Sequence, residues 1–280
     1  MSLKIVQREY QKRLENGTLK GLPRHHSFRF ECPDACMGNC CNKIEVYLDP
    51  WDVETLAGYL GITGQEFVAE YGVFELGTEW RWPVVHLKHA AHGPCVFLYD
   101  DGKCRVYPAR PRNCRAYPLG RAVRFLDNNQ PQAEERLFLM HAMEGCLGHQ
   151  ADRRWTVEQW LKDSNLLHYH ELSDLYLHLL NYAVNELRSR EWMHEVTARM
   201  IAPFLYAPEI IRARVNIPER EVNHEEFYRR RMQALRILLT EVAAGLGYGP
   251  GAAAQGGESG IVTGRSLMER IRPVLMTGKE

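Results

Sequence analysis

Cys32-Pro33-Asp34-Ala35-Cys36-Met37-Gly38-Asn39-Cys40-Cys41 is the stretch on which the reading of this chain turns. Four thiols stand among Pro, Asp, Gly and Asn, residues that favour turns over regular helix or strand. Few apolar residues recur at a helical period across 31–47, so an irregular segment is expected there. Downstream come Cys95-x8-Cys104-x9-Cys114, and then Cys146 within Glu144-Gly145-Cys146-Leu147-Gly148. The chain has eight cysteines, all within 115 residues, and none follows. Cysteines used as small buried hydrophobes would scatter through the apolar faces of the whole chain. These sit in turn-rich sequence, which favours ligation over packing.

The choice of metal follows from donor chemistry. Thiolates are soft ligands that accept Zn²⁺ or an iron–sulfur core. Zinc knuckles space their cysteines by two to four residues, most often two, and this chain has no Cys-x2-Cys. The Cys-x3-Cys spacings, and Cys-x4-Cys from Cys36 to Cys41, suit a cubane at least as well, because its corners are far apart. Adjacent Cys40 and Cys41 point apart in extended backbone, which implies two sites or one spare thiol. The candidate metal ligands are therefore Cys32, Cys36, Cys40, Cys41, Cys95, Cys104, Cys114 and Cys146.

The bulk numbers are those of a globular chain. It has 280 residues, 45% of them hydrophobic and 25% charged. Lys+Arg and Asp+Glu both count 35, which argues against a dedicated nucleic-acid-binding protein. No window approaches 18 uncharged apolar residues, so no membrane span is expected. The first residues lack the apolar stretch of a secretory leader, and a cytoplasmic location is expected. There, structural disulfides are disfavoured and clustered thiols signal metal or redox chemistry.

The expected fold class is α+β, mostly α: an irregular cysteine-rich N-terminal half with short strands, then a helical C-terminal half. A polar helix is expected over Leu3–Glu15. Asp49 and Pro50 open a helix that Gly61 ends, and Thr63 caps a second one through Phe67 and Tyr71. Trp80–Leu87, Cys95–Tyr99 and Cys104–Val106 read as strand pieces, with Asp100-Asp101-Gly102 as a turn between the last two. Pro108, Pro111 and Pro118 are expected to keep the following stretch irregular. Helices are expected over Ala133–Met143, Thr156–Leu161, Ser173–Met193, Val196–Leu205 and His224–Ala244, with Thr156 and Gln159 forming a capping box. Gly245–Gly260 has linker composition, and Val262–Glu280 reads as a loose helix or tail. Three regions follow: a metal-binding domain over 1–165, a helical region over 166–244, and a linker with tail over 245–280.

Several blocks together resemble a known family. They are Phe30-Glu31-Cys32-x3-Cys36-x3-Cys40-Cys41, Cys95-Val96-Phe97-Leu98, Gly102-Lys103-Cys104-Arg105-Val106-Tyr107, Arg110-Pro111-x2-Cys114-Arg115-x-Tyr117-Pro118 and Cys146-x-Gly148. They look like the YkgJ-type cysteine-cluster proteins, also described as CxxCxxCC zinc- or iron-chelating domains, over about residues 28–162. Leu147 stands where the family often has Pro. The resemblance implies a bound metal centre and little about the reaction. A related cluster in the flagellin lysine methylases implies one enzymatic reading.

Other groups divide between chemistry and packing. Arg105, Arg110, Arg112 and Arg115 would offset the negative charge of a thiolate-ligated core, or bind phosphate, or simply make local salt bridges and stack on Tyr107 and Tyr117. Arg110, Arg115 and Tyr117 are taken as the cofactor-supporting residues. Tyr107, Tyr117, Phe97 and Trp82 are candidates to shield the centre from solvent. His86-x2-His89-x2-His92, just before Cys95, offers mixed His/Cys ligation or a solvated, glycine-adjacent loop; the loop is the expectation, since the thiols already suffice for a site. No nucleotide-binding glycine loop and no nucleophile–base motif is found. Three readings stay open: an iron–sulfur ([4Fe–4S]-type) protein with a redox or accessory role, whose helical half docks an unidentified protein partner; a zinc-stapled interaction module; and a lysine-methyltransferase-like enzyme.

Overall fold

The computed structural model describes residues 12–13, 16, 19–36, 38–42, 44–78, 80–89, 93–125, 133–140, 145–249 and 264–278. It is mostly helical, with short strands in the N-terminal half and helices in the C-terminal half. The described residues divide into two compact units. One gathers those up to Leu48, from His86 to Phe125 and from Ala133 to Glu171. The other holds Asp49–Val85 and everything from Leu172 on. The sequence places its first boundary near residue 165 and assigns 49–85 to the cysteine-rich region.

The first unit is built on short antiparallel pairs. Strand β1 (Ser27–Arg29) pairs with the strand Arg154–Thr156, Phe28 facing Trp155. The short β2 (Tyr47–Leu48) precedes the first helix. Beside it, Leu87 at the end of the strand Trp82–Leu87 donates its N–H to the Val46 carbonyl (2.9 Å). Leu119–Phe125 and Ala133–Leu139 form a two-stranded sheet in which Arg121 faces Leu137 and Val123 faces Glu135. Phe28, Phe30, Leu119, Leu137, Val157, Leu161 and Leu166 close the core of this unit.

The pair Leu119–Phe125 and Ala133–Leu139 corrects two expectations. The first segment follows Pro118 and is regular; the second is a strand where a helix over Ala133–Met143 is expected. Ala133-Glu134-Glu135-Arg136-Leu137 has good helix formers, but propensity is a weak bias that tertiary pairing overrides. Here a seven-residue ladder, burial of Leu119 and Leu137, and the Arg121–Glu135 ion pair (2.6 Å) outweigh it. Residues 141–143 lie outside the described residues.

The capping signals were legible. Asp49 accepts from the Asp52 N–H in a capping box at Pro50–Leu60, and Gly61 (φ 70°) ends that helix in the left-handed region. Thr63 with Glu66 caps Gly64–Tyr71, and Thr156 with Gln159 caps Val157–Asp163. The expected helix over Ser173–Met193 is Leu166–Asn185 followed by a short turn of helix, Ser189–Trp192. Glu195–Tyr206 and His224–Gly245 match expectation within a residue. Pro208–Val215 is an additional helix.

In the second unit, Glu54 and Arg231 form a fully buried ion pair, with His224 Nε2 3.0 Å from the other Glu54 oxygen. Trp82 donates to the Tyr176 hydroxyl (3.1 Å), and burial pushes Tyr176 up to about 12. The strands Gly72–Gly77 and Trp82–Leu87 are neighbours in one sheet. The tail forms a helix over Gly264–Thr277. Among the described residues no helix is long and apolar enough to cross a membrane. The helix over Leu3–Glu15, apart from residues 12–13, and the glycine-rich stretch from residue 250 lie outside the described residues.

Candidate metal centre

Cys95 and Cys104 begin two copies of one local motif. From each, the third following residue donates its N–H to the cysteine carbonyl: Leu98 to Cys95 (2.9 Å) and Tyr107 to Cys104 (3.2 Å). The N–H two residues on points at the sulfur itself, Phe97 at Cys95 and Val106 at Cys104. An N–H aimed at sulfur stabilises thiolate charge, whether free or metal-bound. The copies join back to back through a bridge between Leu98 and Cys104, and Arg105 donates to the Phe97 carbonyl (2.8 Å). The turn between them closes where Asp100-Asp101-Gly102 predicts it, Gly102 (φ 82°) donating to Tyr99. The segments expected as strands are thus turns held by single bridges.

The first cysteine loop docks on this hairpin. Cys95 donates its N–H to the Cys41 carbonyl (2.9 Å). Gly38 has φ 78°, and a Cβ there would lie 2.7 Å from the Gly102 carbonyl oxygen and 2.9 Å from Leu98. Only glycine permits both that backbone and that approach. Cys40 and Cys41 lie in a 3-10 turn, not extended chain. The tighter turn lets the two neighbouring sulfurs meet, contrary to the expectation that they point apart. The Cys41 thiol donates to Cys40, and with two backbone N–H groups this lowers Cys40 to about 6 against the opposing effect of burial. The same hydrogen bond, burial and the charges of Cys40, Cys114 and Cys95 push Cys41 far up.

Burial is the largest influence on Cys95 and Cys104 and raises both. Each also feels Cys40, Cys95 feels Cys104, and the Arg110 guanidinium works the other way on Cys104. Cys40, Cys41, Cys95, Cys104 and Cys114, from three separate stretches, thus lie close enough to feel each other's charge. Cys114 is carried by the helix Arg112–Ala116 and is exposed. Among the described residues, seven cysteines stand outside any disulfide. No three Cys, His, Asp or Glu side chains among them stand close enough to grip one metal ion.

Cys146 has its own surroundings. The Tyr117 hydroxyl donates to Cys146 Sγ (3.4 Å) and lies 3.0 Å from His149 Nε2. A hydroxyl carries one proton, so His149 Nε2–H donates to the Tyr117 oxygen while that oxygen's proton faces the sulfur. Burial holds the His149 imidazole below its usual range, which suits this neutral form. Phe30 packs edge-on against both rings, and Glu31 donates to the Gly148 carbonyl (3.1 Å). Gly145 (φ 78°) abuts Asn39, one residue before Cys40, bringing the Cys146 loop to the first cysteine loop. Cys32, just past Glu31, is exposed. Cys36 ends a 3-10 turn, and its side chain lies outside the described residues.

The arginines differ in how they are used. Arg115 is buried and braces the loops: Nε donates to the Arg110 carbonyl (3.0 Å), Nη1 to Ser164 (2.8 Å), and Nη2 to Pro108 and the Tyr169 hydroxyl. Its guanidinium stacks on Tyr169 (4.1 Å), where stacking on Tyr117 is the expectation. Arg110 lies over Tyr107 (4.1 Å), as expected. Phe97 is buried; Tyr107 is 58% exposed and shields nothing. Trp82 belongs to the second unit. His149 escapes notice in the sequence because no spacing rule links it to Cys146. Of the histidine triplet, His86 and His89 are half-buried, not solvated, and His92 lies outside the described residues.

Fold and site together define a protein whose irregular first unit gathers soft thiol donors on turns. Residues 31–136 match the family model CxxCxxCC, described as "Putative zinc- or iron-chelating domain". The match covers seven of the eight cysteines and leaves Cys146 and the helical part beyond it. No solved structure matches the chain.

Proposed function

We propose that this protein holds an iron–sulfur cluster of the [4Fe–4S] type, with its four ligands drawn chiefly from Cys40 or Cys41, Cys95, Cys104 and Cys114, and with Cys32, Cys36 and Cys146 as alternative donors. The carrying observation is that five thiols from three separate stretches feel one another's charge, while no three of the described donors are near enough for a single ion. A tetrahedral zinc ion draws its ligands to about 2.3 Å from one point. A cubane spreads them over its corners, which fits thiols gathered from three separate stretches.

Such a cluster supplies reversible one-electron chemistry. The chain's residues set its character. The N–H groups of Phe97 and Val106 and the charge of Arg110 favour the more negative, reduced state, while Phe97 excludes water. Arg115 holds Arg110 in place through the Arg110 carbonyl. An electron-carrying or accessory role with a protein partner follows more readily than a reaction of its own, and a cytoplasmic, reducing setting suits the free thiols.

Anaerobic purification with iron, sulfide and zinc determination tests the reading. About four iron and four sulfide per chain are expected, with visible absorbance that bleaches on dithionite and a paramagnetic signal in the reduced form. Cys95→Ser and Cys104→Ser should each lose most of the iron. Zinc without iron or sulfide overturns the reading in favour of a zinc-stapled module.

A further inference from the structure

His89 faces Cys95 across an isolated antiparallel bridge. Residues opposed in this way project to the same side, with Cβ atoms about 4.5–5.5 Å apart. The bridge is reinforced by the Val96 N–H, which donates to the Lys88 carbonyl (3.1 Å). Cys95 is at the same time tied to Cys41 through its own N–H. His89 is therefore held beside Cys95, whose backbone N–H links the hairpin to the first cysteine loop.

The ring is oriented as well as placed. Nδ1 lies 3.3 Å from the Gly93 carbonyl oxygen. A carbonyl can only accept, so the proton sits on Nδ1 and Nε2 presents a lone pair. That Nε2 is buried and has no hydrogen-bond partner. Leaving a buried acceptor unmet is unfavourable. A ring fixed by an Nδ1–H to carbonyl bond, with a bare Nε2, is the arrangement by which proteins present imidazole to a metal. We infer that His89 Nε2 takes one ligand position of the thiol-bound metal centre in place of a cysteine, making its donor set mixed cysteine and histidine. The inference rests on the metal-binding reading above, though not on which metal is bound.

A neutral imidazole in place of a thiolate removes one negative charge from the centre and raises its potential. The test uses full-length protein labelled with ¹⁵N-histidine, prepared anaerobically and compared with unlabelled protein, His89→Cys and His149→Gln. Pulsed electron paramagnetic resonance of the reduced protein should show a nitrogen coupling that changes with the label, persists in His149→Gln and disappears in His89→Cys. His89→Cys should keep its metal and titrate at lower potential. X-ray absorption at the edge of whichever metal is bound reads the same question: wild type should include a nitrogen scatterer at about 2.0–2.1 Å if the metal is zinc, and His89→Cys should be all sulfur.

An iron–sulfur signal indifferent to the label, or a coupling that survives in His89→Cys, overturns the inference and leaves the cluster reading intact. A zinc centre with a His89-dependent nitrogen overturns the cluster and sustains the inference. If His89→Cys binds no metal, His89→Gln with unchanged circular dichroism decides: retained metal and an all-sulfur wild-type shell overturn the inference. A protein that binds neither metal removes both.

Discussion

Tyr117 illustrates how much one hydroxyl can settle. It satisfies His149 and faces Cys146, so removing it leaves a half-buried imidazole N–H without that partner. Tyr117→Phe is expected to cost about 1–2 kcal/mol in urea unfolding. Tyr117→Phe combined with His149→Phe should recover much of that loss, because removing both partners leaves no orphan; a double mutant as unstable as the sum of the singles would sink this account. His170 is the second informative residue. Burial first, then the charges of Arg121, Arg112 and Arg24, lower its imidazole to about 2, and Glu135, 3.8 Å away, is itself held by Arg24 and Arg121. A folded value below the unfolded one means the unfolded chain binds a proton that the folded chain refuses. The stability this contributes is present above about pH 6.5 and is lost as pH falls toward the folded value, by about 1.4 kcal/mol per pH unit. His170→Phe should flatten the decline between pH 6.5 and 4.5 in a comparison of denaturant midpoints. Equal slopes would contradict it.

At the scale of elements, the docking of the first cysteine loop on the Cys95–Cys104 hairpin depends on Gly38. An alanine there must displace the Gly102 carbonyl and Leu98 while adopting a positive φ. Gly38→Ala is expected to destabilise by about 1–3 kcal/mol and to lower the metal content of anaerobically purified protein, whereas Gly58→Ala, with open space around it, should do neither. The two strands Leu119–Phe125 and Ala133–Leu139 teach a different lesson. Residues 133–137 carry a helical local preference, and no periodicity in that window reveals the partner strand. The Arg121–Glu135 pair and the burial of Leu119 and Leu137 exist only once the strands meet. The capping boxes at Asp49, Thr63 and Thr156 were legible because a cap is local: the side chain and the N–H it accepts from are three residues apart.

For the molecule as a whole, metal and folding should be linked in the first unit. Its cysteine segments carry little regular structure, and turns, single bridges and glycine contacts hold them. Binding free energy at such a site is partly folding free energy. Removing the metal should raise amide hydrogen exchange across residues 38–42, 93–118 and 145–150 by orders of magnitude. The helix His224–Gly245, with Tyr228 and Arg231 buried, should change little. Uniform protection in the metal-free protein would mean that the turns stand without it.

The chain by itself determined a thiol-rich, turn-built region followed by helices, because cysteine spacing, turn residues and helix caps are all written within a few residues of one another. Only the tertiary structure decided which thiols become neighbours, that Cys40 and Cys41 meet in a tight turn, that Arg115 serves as a brace, and that His89 and His149 stand beside cysteines. Some of those relations join residues distant in sequence, and the others, Cys40 with Cys41, His89 with Cys95 and His149 with Cys146, depend on how the turns between near neighbours close, which no spacing rule carries.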